Sequence, residues 1–378
     1  MSSRSPNKAD QYLLNALDRR AEEDALRSLY LSTGLVDFCS NDYLGLARSH
    51  ELFERTHRYL LQHDLLYNGS GGSRLLAGNH AFTEETEKYL ADFYISEAAL
   101  LFNSGYSANL GLFSSLGQAD TYILYDELIH ASIHDGIRLS KSTSFMFKHN
   151  DLQHLELRLQ GIKGTAFVAV ESVYSMDGDV APLNELVALC EKYDAHLIVD
   201  EAHATGLFGK QGKGKTIALQ LQERIFARIY TFGKALGVHG AVIAGSKTLR
   251  SYLVNFSRPF IYTTAMSVHG IAAIRCAHEY LQEIPQTIEK AHQLIRYFQH
   301  KTDENQQLHY IPSSSCIQSI IIKGNVQVKG VAAHLAEQGM DVRPILSPTV
   351  KKGTERLRIC LHSFNSEQEV DRLFEILS

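Results

Sequence analysis

The chain has 378 residues, of which 44% are hydrophobic and 21% charged, and its formal net charge is -5. This length exceeds the usual size of a single core, so we expect one large domain and a smaller one. The charge gives no basic excess for a nucleic-acid partner, and no apolar run of about 18 residues predicts a membrane span. The scattered cysteines lack C-x-x-C spacing and the polar N-terminus has no apolar segment behind it, so we predict a cytoplasmic protein without a disulfide framework or a metal site.

The first predicted element is an amphipathic helix over residues 8–31, ending near Gly34. Its apolar face is formed by Leu13, Leu14, Leu17, Ala21, Ala25 and Leu29. We expect this helix to lie across a larger body. The following stretch, 37–46, is typical of a short extended piece and a turn, in which Asn41 and Asp42 bond their own backbone.

Short apolar runs then alternate with segments that are mostly of helix length, which is typical of an α/β domain with a largely parallel sheet. The predicted strands cover residues 98–102, 122–125, 145–147, 166–170, 197–199, 229–232 and 241–244. The glycine-rich stretch 69–74 precedes these strands. It is not a dinucleotide fingerprint, because no strand leads into it and Arg74 occupies the position of the last glycine.

Polar residues follow two of these strands directly. The run 197–199 ends in Asp200, at the sheet edge where α/β proteins keep their sites, and His203 lies on the loop beyond it. The strand 227–232 leads to Lys234 at a glycine-flanked turn. An aspartate, a histidine and a lysine at strand ends suit pyridoxal 5'-phosphate (PLP), which binds a lysine as a Schiff base and takes an aspartate against its pyridinium nitrogen. Taken singly, Asp200 could instead cap a helix and Lys234 could be a solvated turn residue.

Three further loops at strand ends carry candidate residues. Residues 103–106 join the first strand to a predicted helix at 108–116, so they form either an anion site at a helix N-terminus or a simple tight turn. His130 follows the next strand and could equally be a polar loop residue. Ser175 and Asp177 follow a strand that ends at the same edge as Asp200.

The segment 209–216 matches the pattern G-x-x-x-x-G-K-T of a nucleotide-triphosphate loop. Such a loop turns straight off a strand, whereas here the strand ends at Asp200 and a further loop intervenes. We therefore predict a mobile glycine-rich loop rather than a triphosphate site.

The C-terminal part changes character after two predicted helices, 267–284 and 286–301, which Pro285 separates. Strands at 317–322 and 357–361, a helix at 331–338 and an extended linker at 342–349 predict a compact α+β lobe. The predicted organisation is an N-terminal helix and arm (1–46), a large PLP-binding α/β domain (47–285) and a C-terminal α+β domain (286–378).

Several ordered motifs resemble the α-oxoamine synthases, PLP enzymes of fold type I, the aspartate-aminotransferase-like fold, which condense an amino acid with an acyl thioester. These motifs are Asp24-Ala-Leu-Arg27, Asn41-Asp-Tyr-Leu-Gly-Leu46, Tyr174-Ser-Met-Asp-Gly-Asp179, Val199-Asp-Glu-Ala-His-Ala-Thr-Gly206, Thr231-Phe-Gly-Lys234 and Gly353-Thr-Glu-Arg-Leu-Arg358. The resemblance spans nearly the whole chain. It implies a mostly parallel central sheet, a smaller α+β C-terminal lobe, and a homodimer.

The resemblance also implies roles for individual residues. Lys234 would bind PLP and move the Cα proton of the amino acid, while Asp200 would keep the ring nitrogen protonated. His203 would bond the ring hydroxyl, and His130 would stack on the ring and contact substrate. Further cofactor contacts, mainly to the phosphate, are implied for Gly105, Tyr106, Ser175 and Thr231, and for Thr263 or Thr264 of the partner subunit.

For the substrates, the resemblance implies that Arg358 binds the amino acid carboxylate with help from Asn41, and that Arg27 and Thr349 contact the acyl donor. The implied reaction joins L-alanine to a pimeloyl thioester of coenzyme A or acyl carrier protein, with release of CO2. A relative that uses glycine and a shorter acyl-CoA is an open alternative. A non-catalytic binding subunit is another, against which the intact Lys234 argues.

Overall fold

The computed structural model describes residues 7–31, 34–305 and 307–377. The strands, in chain order, are β1 (Val36–Asp37), β2 (Ala98–Phe102), β3 (Thr121–Asp126), β4 (Thr143–Phe147), β5 (Thr165–Glu171), β6 (Ala195–Asp200), β7 (Ala227–Thr231), β8 (Ala241–Gly245), β9 (Tyr310–Ile311), β10 (Ile317–Ile321), β11 (Met340–Asp341), β12 (Arg343–Ile345) and β13 (Arg356–Cys360). The helices are α1 (Lys8–Glu22), α2 (His50–Gln62), α3 (Ala81–Phe93), α4 (Gly105–Leu116), α5 (Ala131–Leu139), α6 (Leu152–Leu159), α7 (Leu183–Lys192), α8 (Lys215–Ala218), α9 (Lys247–Phe256), α10 (Arg258–Ile261), α11 (Val268–Glu283), α12 (Pro285–Glu304), α13 (Asn325–Glu337) and α14 (Glu367–Leu377).

The central sheet has seven strands in the order β2-β8-β7-β6-β5-β3-β4. The neighbours from β7 through β4 pair in parallel, while β8 runs antiparallel to both β2 and β7. Apolar side chains fill β6, whose residues Leu197, Ile198 and Val199 are all buried, because helices cover both faces of a parallel sheet. The predicted α/β fold with a mostly parallel sheet is confirmed.

The C-terminal lobe is built on an antiparallel sheet in the order β12-β13-β10-β9. The helices α13 and α14 pack their apolar residues into its core. α12 begins at Pro285, where the missing N–H of proline is harmless, so the predicted break is present. α13 begins at Asn325, earlier than predicted, and continues through Gly330 without a break.

The short strand β1 pairs in parallel with β11 and so attaches the N-terminal arm to the C-terminal lobe. This pairing brings residues 36–46 back against the central sheet. The boundaries at positions 46 and 285 stay predictions.

The N-terminal helix is shorter than predicted. It ends at Glu22, where Asp24 takes a left-handed φ of 51° and the N–H of Ala25 bonds back to the carbonyl of Arg20. No residue of α1 is buried. The helix therefore gains no stability from packing against the rest of the described chain that would extend it beyond Glu22. The expectation that the helix lies across a larger body was wrong for the single chain. Arg27 consequently lies on an irregular segment and not on the helix.

The glycine-rich segment 209–216 folds around a buried carboxylate. Glu201 accepts hydrogen bonds from the backbone N–H groups of Lys215 (3.0 Å) and Thr216 (2.6 Å) and from the hydroxyl of Ser172 (2.8 Å). A bound phosphate would need these same N–H groups. The structure therefore supports the rejection of a triphosphate site.

Within the described residues, no helix combines the length and the apolar character needed to cross a lipid bilayer.

Candidate active site

A cavity of about 280 Å³ lies at the carboxyl edge of the central sheet, beside the N-terminus of α4. Seven of the residues predicted from the sequence line it, namely Asn41, Gly105, Tyr106, His130, Asp200, Thr231 and Lys234. They come from distant parts of the chain. The parallel strands β5 and β6 end here, so the residues that follow them meet.

Asp200 is fixed at the floor of this cavity. The Asn109 side chain donates to its Oδ2 at 2.7 Å, and the Ala202 N–H donates to its Oδ1 at 2.9 Å. Asn109 was not predicted from the sequence. Its position in the sequence could have indicated this role, because Asn109 lies one turn after Gly105 on the same face of α4.

Lys234 and His203 are in direct contact. The distance between Lys234 Nζ and His203 Nε2 is 3.0 Å. Burial lowers the pKa of Lys234 to about 8, although the charge of Asp200 opposes this shift. Burial and the nearby lysine charge lower the pKa of His203 well below its usual range. The site thus pairs a neutral imidazole with an amine that loses its proton easily, which suits a nucleophile and a base.

The N-terminus of α4 offers an anion site. The hydroxyl of the N-cap residue Ser104 accepts from the N–H of Ser107. The N–H groups of Gly105 and Tyr106, at the first two positions of the helix, have no acceptor within the helix. A side chain on Gly105 would come within 2.5 Å of the Thr231 methyl group, so only glycine fits here. The Thr231 hydroxyl is buried and has no hydrogen-bond partner among the described residues. The Tyr106 hydroxyl bonds Asp135.

His130 lines both this cavity and a second one of about 670 Å³. Its Nδ1 lies 2.7 Å from the Ser132 hydroxyl. Ser175 lines the second cavity and not the first, which differs from the predicted cofactor contact. The N–H of Ser172 still bonds the Asp200 carbonyl at 2.9 Å, but further along the loop the Ser175 carbonyl accepts from Arg358 Nε at 2.7 Å.

The two residues expected to bind the amino acid carboxylate are in contact. Arg358 Nη2 donates to Asn41 Oδ1 at 3.0 Å. Arg358 is buried, while Asn41 reaches the lining of the first cavity. Tyr43, which was not singled out in the sequence, joins this pair, since its hydroxyl donates to Asn41 Oδ1 at 3.0 Å.

The residues expected to contact the acyl donor are also together. Arg27 Nη2 lies 3.2 Å from the Thr349 hydroxyl. Both line a third cavity of about 700 Å³, and Thr349 lines the second cavity as well. The C-terminal lobe and the irregular segment after α1 form its walls.

Thr263 and Thr264 lie outside the first cavity of their own chain. The Asn103 side chain bonds the Thr263 hydroxyl at 3.3 Å and the Thr264 carbonyl at 2.9 Å. Their predicted contact is with the cofactor of the other subunit and stays a prediction.

The residues present fit PLP. Lys234 supplies an amine, Asp200 a carboxylate for the ring nitrogen, and the N-terminus of α4 with the unpartnered Thr231 hydroxyl supplies donors for a phosphate. The fold and the site together define a PLP-dependent enzyme of fold type I.

Comparisons with known proteins agree. The family model described as "Aminotransferase class I and II" matches residues 33–377. A protein of Emericella nidulans named 8-amino-7-oxononanoate synthase is 41% identical over 99% of this chain and 96% of its own length. One of the same name from Marinobacter nauticus is 39% identical over 91% of this chain and 86% of its own. The chain belongs to the class I and II aminotransferase family and, within it, to the 8-amino-7-oxononanoate synthases, which are PLP-dependent acyltransferases.

Solved structures show the same likeness. The 8-amino-7-oxononanoate synthase of Francisella tularensis superimposes with a TM-score of 0.79 at 28% identity, covering 92% of this chain and 97% of that one. The serine palmitoyltransferase of Sphingomonas wittichii gives a TM-score of 0.86 at 26% identity, covering 98% and 96%. The predicted family and cofactor are confirmed, while the roles of individual residues stay predictions.

Proposed function

We propose that this enzyme condenses L-alanine with a pimeloyl thioester of coenzyme A or acyl carrier protein, giving 8-amino-7-oxononanoate, CO2 and the free thiol carrier, a step of biotin synthesis. The names of relatives that match almost the whole chain support this reaction. We further propose that it acts as a homodimer in the cytoplasm.

The observation that carries the proposal is the 3.0 Å contact between Lys234, which lines the first cavity together with Asp200, and the buried His203, which lies behind that lining. When bound, PLP withdraws the negative charge that develops at the amino acid Cα. Asp200 keeps the ring nitrogen protonated, because an adjacent carboxylate favours the cationic form. Lys234 has a pKa lowered to about 8, which lets its amine remove the Cα proton and later return it.

The remaining residues position the two substrates. Arg358 binds the alanine carboxylate with its planar fork, and Asn41 fixes the orientation of the guanidinium. His130 lies between the first and second cavities, where the acyl carbon must meet the alanine Cα. Arg27 and Thr349 contact the acyl donor in the outer cavity.

A product assay tests the reaction and its rivals. Purified enzyme is supplied with alanine, glycine or serine, and with pimeloyl-CoA, pimeloyl-acyl carrier protein, acetyl-CoA or palmitoyl-CoA. The serine and palmitoyl arms are included because of the structural likeness to serine palmitoyltransferase. We expect 8-amino-7-oxononanoate by mass spectrometry from alanine with a pimeloyl donor. Preferred turnover of glycine with acetyl-CoA, or of serine with palmitoyl-CoA, would reject the proposed substrates.

Chemical labelling tests the cofactor lysine. Purified enzyme should be yellow and should lose its colour on borohydride reduction, after which the cofactor should be found on Lys234 by peptide mapping. Lys234→Ala should abolish the label. Lys215→Ala is the matched control, because Lys215 packs on Phe208 outside the cavity, and it should keep the label. A label on any other lysine would contradict the site.

A further inference from the structure

A continuous chain of hydrogen bonds joins the two ends of the site. Arg358 Nη2 and the Tyr43 hydroxyl both lie 3.0 Å from Asn41 Oδ1. The Tyr43 hydroxyl also lies 2.8 Å from His203 Nδ1, and His203 Nε2 lies 3.0 Å from Lys234 Nζ. Tyr43 is 1% exposed and His203 4%, so protein groups decide where the protons on this chain reside.

The direction of every bond in this chain follows from Arg358. A guanidinium can only donate, so Asn41 turns its carbonyl oxygen toward it, and that oxygen can only accept. The phenol of Tyr43 has one proton, which it therefore donates to Asn41. Its oxygen is then left as an acceptor for His203, so Nδ1 of His203 must carry a hydrogen.

A neutral imidazole carries one N–H, and this one is on Nδ1. Burial lowers the pKa of His203 and raises that of Tyr43, so both groups are neutral at working pH. The second nitrogen, Nε2, therefore presents a lone pair to Lys234.

We propose that Tyr43 is a positioning residue that holds neutral His203 with its proton on Nδ1, so that Nε2 accepts a hydrogen bond from Lys234. The inference rests on the proposed function only in taking Lys234 as the cofactor lysine. The arrangement favours the protonated amine and so opposes the effect of burial on Lys234. Tyr43 thereby sets how readily this lysine gives up its proton, although it does not touch the lysine.

Tyr43→Phe removes the acceptor for Nδ1–H and favours the other tautomer. An Nε2–H can only donate to Lys234 and therefore favours the neutral amine. The pKa of Lys234 should fall by on the order of one pH unit. If Tyr43→Phe only loosened the packing, the pKa of Lys234 should rise instead. Water would then enter and relieve the burial that lowers this pKa.

The first measurement is the ¹⁵N spectrum of the full-length enzyme, labelled at histidine and stripped of PLP so that the amine of Lys234 is free. The signals of His203 are identified by their absence in His203→Asn. In the wild type we expect a protonated Nδ1 and an unprotonated Nε2, and in Tyr43→Phe we expect a population with Nε2 protonated. A wild-type His203 with its proton on Nε2, or an unchanged spectrum in Tyr43→Phe, overturns the proposal.

The second measurement starts from holoenzyme stripped of PLP and follows the rate of PLP uptake against pH. Its midpoint reports the free-amine fraction of Lys234. The midpoint should move to lower pH in Tyr43→Phe, and an upward shift or no shift contradicts the proposal. If borohydride labelling fails to map to Lys234, the proposed function fails, while the ¹⁵N spectrum still decides the tautomer.

The chain offers a matched control and a second variant. Tyr94 is also buried, and its hydroxyl lies 2.9 Å from His278 Nε2, away from the cavity. Tyr94→Phe therefore removes another buried tyrosine–histidine hydrogen bond, and it should change neither the His203 signals nor the uptake midpoint. Asn41→Leu keeps the Tyr43 hydroxyl but removes its acceptor, so the phenol can donate to His203 instead. We expect Asn41→Leu to shift the uptake midpoint downward too, which keeps the proposal testable if Tyr43→Phe fails to fold.

Discussion

At the scale of single residues, Glu171 is the acid that the proposed chemistry does not use. It ends β5, is paired in register with Asp200, and is 2% exposed, with Oε1 unpartnered among the described residues. Burial and then the charge of Asp200 raise its pKa well above its usual value, although Lys234 opposes the shift. The raised pKa favours the neutral, protonated form of Glu171, so we assign the negative charge of the site to Asp200.

Replacing Glu171 by glutamine tests this assignment. A raised pKa in the folded state means that the folded protein holds a proton which the unfolded chain releases, so stability falls as pH rises above the unfolded value of about 4.5 toward the folded pKa. Glu171→Gln should remove this loss and gain stability relative to the wild type as pH rises. Thermal unfolding of both proteins at several pH values measures the difference. A difference that is constant with pH would contradict a raised pKa.

Residues at the end of a strand or within a few residues beyond it could be placed from the sequence, because the end of a parallel strand fixes an edge of the sheet. Asp200 and Lys234 are examples. Asn109 and Tyr43 could not be placed, because their roles depend on tertiary partners 91 and 160 positions away. Ser175 was assigned to the correct edge, but the turn after β5 carries it into the neighbouring cavity.

At the scale of elements, strands were predicted better than helix ends. The buried strands have apolar runs that show their length, whereas the end of α1 depends on a left-handed Asp24 and on the absence of burial. The segment 209–216 shows the same limit. Its glycines indicated a loop, but the buried partner that shapes it, Glu201, lies before it in the chain.

Glu201→Ala should destabilise the fold, although Glu201 is not one of the candidate active-site residues. It leaves two backbone N–H groups and the Ser172 hydroxyl without their acceptor, at about 1 to 3 kcal/mol for each buried donor, so we expect a loss of at least about 3 kcal/mol. Glu201→Gln keeps one acceptor oxygen and should cost less. The exposed Glu223→Ala is the control and should stay within about 0.5 kcal/mol. Urea unfolding measures all three, and a loss in Glu201→Ala no larger than in the control would contradict the structural role.

At the scale of the whole molecule, three cavities adjoin one another across the proposed domains. The first and second share His130, and the second and third share Thr349. The ion pair between Glu127 and Lys351, 2.8 Å long, spans from the large domain to the C-terminal lobe at the second cavity. An extended acyl donor could therefore run from the outer cavity to Lys234 through residues of both domains.

Two arginines at opposite ends of this series of cavities should distinguish the two substrates. Arg358 is buried beside the first cavity, whereas Arg27 is exposed in the third. Losing one charged hydrogen-bonding partner costs about 1.5 to 3 kcal/mol of binding free energy. Replacing either arginine should therefore weaken the binding of the substrate that it contacts roughly tenfold to a hundredfold. Arg358→Ala should raise KM for alanine, and Arg27→Ala should raise KM for the pimeloyl thioester alone.

Arg19→Ala, on the exposed helix α1 and outside the cavities, is the control and should leave both values unchanged. If Arg27→Ala raised KM for alanine and left KM for the thioester unchanged, the third cavity would not hold the acyl donor. Arg27 lines only the third cavity, so it could then act on alanine only through the residues that lie between the two cavities.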